Sequence, residues 1–166
     1  DAREGCRRLE LQIDPTSYAP YVGGLVPALE IVLDEARRVS AAGPVEVALI
    51  VAASRRANPL DAQTLARLAA HYAGDGPGEV VGFGLSNDEH AGTTEDWQQA
   101  FQIARRAGLP GVPHGGELAG PEHVWRILAA LQPTRVGHGV RASEDPELLD
   151  EIVSRQIALE VCPTSN

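Results

Sequence analysis

The sequence predicts an α/β fold in which a parallel sheet belongs to a (β/α)8 TIM barrel. Short apolar segments alternate with amphipathic segments, the pattern of parallel strands joined by covering helices. Titratable and polar residues follow nearly every apolar segment, and in a barrel all those strand ends converge on one mouth, where active sites lie. The alternative is a doubly wound sheet. No Gly-x-Gly-x-x-Gly motif follows the first strand, which weakens that alternative.

Six strands are predicted from short apolar runs that stop at polar or turn residues. The first alternates apolar and polar residues before Asp14 and Pro15, and the second is almost wholly apolar. The fourth is short and leads directly to His114. In chain order the predicted strands are 9–13, 45–53, 79–85, 109–113, 135–137 and 157–161.

Five amphipathic helices are predicted between these strands. The first, 23–43, carries apolar residues at spacings of three and four, with charged residues on the other face. Asp61 is the predicted cap of the second helix, and Thr93 or Thr94 is the predicted cap of the third. The last two begin at prolines, which favour the first turn of a helix: Pro121 and Pro146.

The composition limits the possible classes of function. Fourteen basic residues against 23 acidic ones give a net charge of −9. Because phosphate contacts need clustered Lys and Arg, nucleic-acid binding is not expected. No apolar run approaches the roughly 18 residues of a membrane span, and no signal-peptide pattern opens the chain. We therefore expect a cytoplasmic protein without a nucleic-acid or membrane partner. The composition leaves the oligomeric state open.

These 166 residues are expected to be a piece of a larger protein. The chain has no Met, and six strands cannot close an eight-stranded barrel. It also stops at Asn166, soon after an apolar run that is typical of a buried strand. The predicted organisation is a single domain, 1–166, that forms an incomplete barrel without its first and last strands.

The strongest chemical signal lies in His114-Gly115-Gly116-Glu117. In an extended strand, His114 and Glu117 would point to opposite sides. Two glycines let the backbone curl, so that both side chains can face one pocket. An imidazole suits a zinc ion, and a carboxylate beside it can shuttle protons. Taken alone, these four residues also fit a glycine turn with a surface His and Glu.

Four motifs resemble successive signatures of the adenosine deaminase family of zinc-dependent amidohydrolases. Their order along the chain makes the combination far more specific than any one motif. The resemblance implies a TIM barrel of the metallo-dependent hydrolase type, of which this chain covers about strands two to seven. The motifs are VVGFGLSNDE at 80–89, HGGE at 114–117, RVGHGVRASEDP at 135–146 and LEVCPTSN at 159–166.

The resemblance implies roles for five residues. His114 matches a zinc ligand, Glu117 matches the glutamate that donates a proton to purine N1, and His138 matches the histidine that orients the attacking water. Asn87 matches a loop that contacts purine N3, and Gly116 is expected to line the substrate site. One zinc ion is implied. The family's other ligands, a His-x-His strand and an Asp at the end of the eighth strand, are not in this sequence.

The chemistry of the reaction explains why these residue types are needed. Expelling ammonia from C6 of a 6-aminopurine requires a strong nucleophile, which zinc supplies by lowering the pKa of water to about 7. A carboxyl group must protonate N1 so that the ring accepts electrons. A second base fixes the direction of attack.

The expected function is hydrolytic deamination of a purine nucleoside, with adenosine giving inosine and ammonia. Two alternatives stay open: an adenine or aminofutalosine deaminase of the same family, and an inactive fragment or non-catalytic relative that binds no zinc. The motifs also depart from the family pattern. Gly115 stands where the usual motif has Ala, Asn87 where many relatives have Gly, and Gly84 where many have Asp.

The remaining titratable residues near strand ends are expected to have structural or solvent roles. Asp88 and Glu89 are expected to cap or buttress their loop, and Glu10 is a candidate structural partner inside the barrel. Solvent-exposed positions are expected for Arg55, Arg56, His71, His90 and His123.

Overall fold

A six-stranded, wholly parallel sheet forms the centre of the computed structural model, which describes residues 2–165. Asn166, the last residue of the fourth motif, lies outside the described residues. Each predicted strand is present within two residues of its predicted ends. The strands are β1 (Arg8–Ile13), β2 (Glu46–Ser54), β3 (Val80–Ser86), β4 (Gly111–Gly115), β5 (Arg135–His138) and β6 (Ala158–Glu160).

The strands pair in chain order from β1 to β6, without the reversal that defines a doubly wound sheet. The sheet is also strongly curled. Arg135 in β5 and Glu10 in β1 are four strands apart, so a flat sheet would separate them by about 19 Å. Their side chains nevertheless meet, with Arg135 Nη2 lying 2.6 Å from Glu10 Oε2. The described chain is thus an α/β half-barrel, which confirms the predicted fold class.

Helices cover the outer face of the curled sheet. Apolar side chains of α2 and α3 join outward-facing residues of β2, including Leu49 and Val51, in the main core. Among residues 2–165, no helix has the length and apolar composition needed to cross a membrane. The helices are α1 (Ala19–Val22), α2 (Leu25–Ala42), α3 (Pro59–His71), α4 (Gln98–Arg106), α5 (Pro121–Ala130) and α6 (Pro146–Ser154).

Two of the helix starts differ in detail from the predictions. Asn58, not Asp61, caps α3: its side chain accepts a hydrogen bond from the Leu60 N–H. The helix therefore begins three residues earlier than predicted, with Pro59 at its first position. Thr93 caps a short 3-10 segment, Thr94–Trp97, which leads into α4.

Small residues bring the inner faces of the strands close together. Ala48 and Ile50 of β2 form a second, smaller cluster with Val81 and Val112. Gly84 in β3 leaves room for the side chain of Gln12 in β1, because a Cβ at position 84 would lie 2.8 Å from Gln12 Oε1. The barrel interior is therefore narrow below the strand ends that carry the polar residues.

Candidate active site

Strands β4 and β5 bring two histidines together at the carboxyl end of the sheet. His114 is in register with Gly137, and Gly115 is in register with His138. The two imidazole rings meet edge to face, with centroids 4.7 Å apart. His138 has φ 65°, in the left-handed region, which breaks the extended geometry where β5 ends.

Glu117 completes this cluster from the loop after β4. Its Oε2 lies 3.4 Å from His114 Nε2 and 3.6 Å from His138 Nε2. The curl that the sequence predicted occurs at Gly116, which has φ 68°, whereas Gly115 ends β4. All three side chains are about one-fifth to one-quarter exposed, so they face the open mouth rather than the core.

The cluster has the composition and spacing of a zinc site. Potential donor atoms of His114, Glu117 and His138 all lie within 4.8 Å of one another. Two imidazoles and a carboxylate are a donor set used by catalytic zinc. Ligands about 2.1 Å from a tetrahedral ion are about 3.4 Å from each other, close to the separations of both histidines from Glu117. The chemistry of His114 and its two neighbours is therefore compatible with a zinc ion at this position.

Glu89 lies directly behind the cluster, with no exposed side-chain surface. Its two oxygens accept hydrogen bonds from four successive backbone N–H groups, and His114 Nε2 lies 3.2 Å from Oε1. Burial alone would raise the pKa of Glu89, but hydrogen bonds from His114 and from this loop outweigh burial and hold the pKa far below its usual range. The four N–H groups belong to Gly116, Glu117, Leu118 and Ala119.

The predicted solvent exposure of Arg55 and His123 is wrong. Arg55 is 3% exposed, and its Nη2 donates to the carbonyl oxygen of His114 at 3.0 Å. Its Nε and Nη1 have no hydrogen-bond partner within the described part of the chain. The His123 side chain is 11% exposed and lies 3.4 Å from Arg55 Nη2. Burial, reinforced by the Arg55 charge, lowers the pKa of His123 and favours its neutral form.

The two residues predicted to contact substrate, Gly116 and Asn87, differ from each other in burial. Gly116 is buried beside the cluster, and its N–H is already bonded to Glu89. Asn87 is exposed at the end of β3, with φ 73°, and its Nδ2 donates to Ser54 Oγ at 2.8 Å. Substrate contact by either residue stays a prediction.

The family model described as adenosine deaminase matches residues 1–166. The chain belongs to the adenosine deaminase family. A putative adenosine/adenine deaminase of Streptomyces virginiae is 53% identical over 166 residues, which are 100% of this chain and 48% of that protein. An adenine deaminase of Mesorhizobium japonicum is 39% identical over 99% of this chain and 50% of its own length. An aminodeoxyfutalosine deaminase of Streptomyces coelicolor is 44% identical over 54% of this chain and 23% of that protein.

Several solved structures show the same fold. An adenine deaminase from Arthrobacter aurescens has a TM-score of 0.85 at 27% identity, covering 99% of this chain and 49% of that one. An amidohydrolase from Burkholderia ambifaria, with bound Zn, has a TM-score of 0.75 at 26% identity, covering 95% and 43%. Arabidopsis ADAL complexed with IMP has a TM-score of 0.81 at 26% identity, covering 96% and 47%.

The chain thus spans about half the length of the relatives and structures that match it across nearly its whole length. The resemblance drawn from the four motifs is confirmed at the level of the family. The family consists of metal-dependent deaminases, and one of the structural neighbours, the Burkholderia ambifaria amidohydrolase, has bound Zn.

Proposed function

We propose that this chain contributes strands two to seven of a zinc-dependent deaminase that hydrolyses the 6-amino group of an aminopurine nucleoside. The observation that carries the proposal is the grouping of His114, Glu117 and His138 at the mouth of a half-barrel in this family. The strands that close the barrel would supply the remaining zinc ligands. Residues 1–166 would then form a single domain, a TIM barrel without its first and last strands.

Three side chains would divide the chemistry. His114 would hold the zinc ion, which when bound makes water nucleophilic at neutral pH. Glu117 would carry a proton to N1 of the purine ring, so that the ring accepts the electron pair as C6 is attacked. His138 would accept a proton from the attacking water and fix its direction. That proton would then pass to the 6-amino group, which leaves as ammonia when the C6–N bond breaks.

The position of Glu117 supports its proposed role in proton transfer, because its carboxylate is close to both histidines. Because Oε2 lies between their Nε2 atoms, at 3.4 and 3.6 Å, a proton can pass within the cluster without a large movement. The loop that carries Glu117 also has Gly116 beside the cluster. A Cβ at position 116 would lie 2.6 Å from Val124 Cγ2, so the role of Gly116 toward substrate would be to shape the loop that carries Glu117.

Adenosine is the substrate that we propose first, and adenine is the second candidate. The names of two relatives support both substrates. The Streptomyces virginiae protein is called a putative adenosine/adenine deaminase, and the Arthrobacter structure is an adenine deaminase. The bound IMP of Arabidopsis ADAL and the Streptomyces coelicolor aminodeoxyfutalosine deaminase extend the candidates to larger purine derivatives.

The test is turnover by the full-length protein that carries this chain, loaded with zinc. Ammonia release would be measured with adenosine, adenine and aminofutalosine at equal concentration. We expect a marked preference for adenosine or adenine, and loss of turnover when a chelator removes the metal. A folded, zinc-loaded protein that deaminates none of these compounds would favour the non-catalytic alternative. The 166-residue chain alone is expected to be inactive. In this proposal His114 is its only zinc ligand, whereas catalytic zinc requires about three protein ligands as well as an open position.

A further inference from the structure

The loop that carries Glu117 is held by a buried carboxylate from a different strand. Glu89 follows β3, and its side chain has 0% exposure. Gly116 N and Ala119 N donate to Oε2 at 2.9 and 3.1 Å. Glu117 N and Leu118 N donate to Oε1 at 2.8 and 3.2 Å. Each oxygen thus binds two N–H groups, and four successive peptide units converge on one side chain.

This arrangement determines where Glu117 can point. A run of N–H groups turned toward one anion is a backbone nest, and hydrogen bonds to a charged acceptor are stronger than neutral ones. Without Glu89, the buried N–H groups of this turn would lose their acceptor. The turn would then move, and the Glu117 side chain would move with its backbone.

Arg55 holds the other side of the same segment. Its Nη2 donates to the carbonyl oxygen of His114, three residues before Glu117, at 3.0 Å. Arg55 follows β2 and is 3% exposed, so the protein packed around its guanidinium restricts the movement of this group. The ends of β2 and β3 therefore hold the segment 114–119 from two directions.

We propose that Glu89 and Arg55 are positioning residues that set the geometry of His114 and Glu117. The inference deepens the proposed function and rests on it. Glu89 acts through the backbone of 116–119 and through its Oε1, which lies 3.2 Å from His114 Nε2. Arg55 acts through the carbonyl group of His114. In this arrangement the acid at position 117 is placed before substrate binds, so its correct orientation does not depend on substrate contacts.

The experiment uses two variants of Glu89 in the full-length protein. Glu89→Gln keeps the shape but leaves one oxygen, so two backbone N–H groups face an amide that also donates hydrogens. Glu89→Asp keeps both oxygens on a side chain that is one methylene shorter. Positioning predicts an order of kcat in which the wild type exceeds Glu89→Asp, and Glu89→Asp exceeds Glu89→Gln.

Glu79 provides a matched control at the opposite end of β3. Its Oε2 accepts hydrogen bonds from the backbone N–H groups of Asp75 and Gly76, at 3.0 and 2.8 Å. Glu79→Gln therefore makes the same chemical change at another backbone-binding carboxylate. It lies at the amino end of the strand, away from the cluster of His114, Glu117 and His138.

We expect Glu89→Gln to lower kcat for adenosine about 10²-fold, the effect of a misplacement of about 1 Å. KM should change less than about threefold, because Glu89 makes no contact with substrate in this scheme. Glu79→Gln should keep kcat within about twofold of the wild type. If Glu89 only stabilised the fold, kcat per folded molecule would be unchanged in Glu89→Gln and in Glu89→Asp, and the inference would be wrong.

A second readout does not depend on activity. Amide hydrogen exchange would be measured on the zinc-free wild type and variants. Loss of the acceptor should speed exchange at 116–119 by at least about tenfold in Glu89→Gln, and Glu79→Gln should affect residues 75–76 instead. Unchanged exchange at 116–119 would overturn the inference even if activity fell. If Glu89→Gln did not fold, the same exchange and kcat order would be required of Glu89→Asp.

The two readouts separate the two proposals. An inactive wild type in which 116–119 is protected, and loses that protection in Glu89→Gln, would reject the deaminase assignment while retaining the positioning by Glu89. If the wild type were active, and Glu89→Gln changed neither kcat nor the exchange at 116–119, the deaminase assignment would be retained and the positioning by Glu89 would be rejected.

Discussion

His114 and His138 meet edge to face, with ring centroids 4.7 Å apart and planes at 76°. His114 lies in β4 and His138 ends β5, with α5 between them along the chain. They meet because parallel neighbours end at the same edge of the sheet, and the register places Gly115 opposite His138. Glu117 then needs only one turn of loop to reach both rings. Two strand ends and one glycine turn thus bring the three side chains to the same place.

Glu117→Gln is expected to lower turnover of adenosine by about 10²- to 10⁴-fold, the usual contribution of a general acid. The amide keeps the size of the side chain but cannot deliver the proton to N1. Circular dichroism and zinc content of the full-length protein should match the wild type. The measurement is kcat under saturating substrate.

Glu122→Gln serves as the control for this change. Glu122 is exposed, in the first turn of α5, five residues beyond Glu117. Its substitution should leave turnover unchanged, because a surface carboxylate takes no part in the chemistry. Near-normal kcat in Glu117→Gln would remove this residue from the proposed mechanism.

His138→Asn tests the second proton-transfer group without straining the backbone. His138 has φ 65°, and Asn tolerates this left-handed conformation better than Ala does. We expect kcat to fall at least about 10²-fold while thermal stability changes little. Gln156→Asn is the control, because Gln156 also has a positive φ, 54°, and is exposed after α6. Equal losses of activity in the two variants would point to a backbone effect rather than to the imidazole.

The order of strands and helices could be predicted because it depends on local patterns. Apolar runs, helical spacing and the prolines at 121 and 146 are each readable within a few residues of sequence. Membership of the family followed from four motifs in order. One boundary was placed too early: β4 continues to Gly115, because its pairing with β5 continues past the point where the apolar run stops.

The charges behind the cluster could not be predicted, because their partners are distant in sequence. The acceptors for residues 116–119 belong to Glu89, 27 to 30 residues upstream. The partner of Arg55 is 59 residues downstream. Arg55 and Arg56 form a polar pair after an apolar strand, and no local signal shows that only Arg55 turns inward. The expectation that Glu89 buttresses its loop agrees in kind, but the structure places its contacts on the neighbouring loop.

Glu10 predicts an acid-dependent loss of stability. Burial raises the pKa of this carboxyl group, but hydrogen bonds from Arg135 and Arg8 outweigh burial and lower the pKa below the ordinary value of 4.5. The unfolded chain therefore binds the proton more readily, so the stabilisation is present above pH 4.5 and is lost as the pH falls through the folded value. Glu10→Gln should cost about 1 kcal/mol near pH 7. The difference from the wild type should disappear at low pH.

Urea unfolding at several pH values measures this difference. Glu35→Gln is the control, because Glu35 pairs with Arg38 on the exposed face of α2. Solvent screens that pair, so its removal should have a much smaller effect. A cost for Glu10→Gln that stays constant down to pH 3 would show that the lost contacts are not ionic.

Gly115→Ala tests why this chain lacks the alanine that is usual in the motif. The backbone of Gly115 does not have a positive φ, so alanine itself is permitted there. The obstacle is packing: a Cβ at this position would lie 2.1 Å from Cδ1 of Ile127, which is fully buried. Overpacking of this kind costs about 1–3 kcal/mol. Ile127→Val removes the same Cδ1 and should alone cost about 0.5–1.5 kcal/mol for the cavity.

The double variant decides whether these two atoms compete for one space. With valine at position 127, the added methyl group fills the cavity, so Gly115→Ala should cost little or become favourable. The coupling free energy from urea unfolding should be at least about 1 kcal/mol. Additive costs would mean that the Ile127 side chain rotates away in the single variant. The glycine would then need another explanation, such as the His123 ring, whose Cδ2 would lie 3.5 Å from the new Cβ.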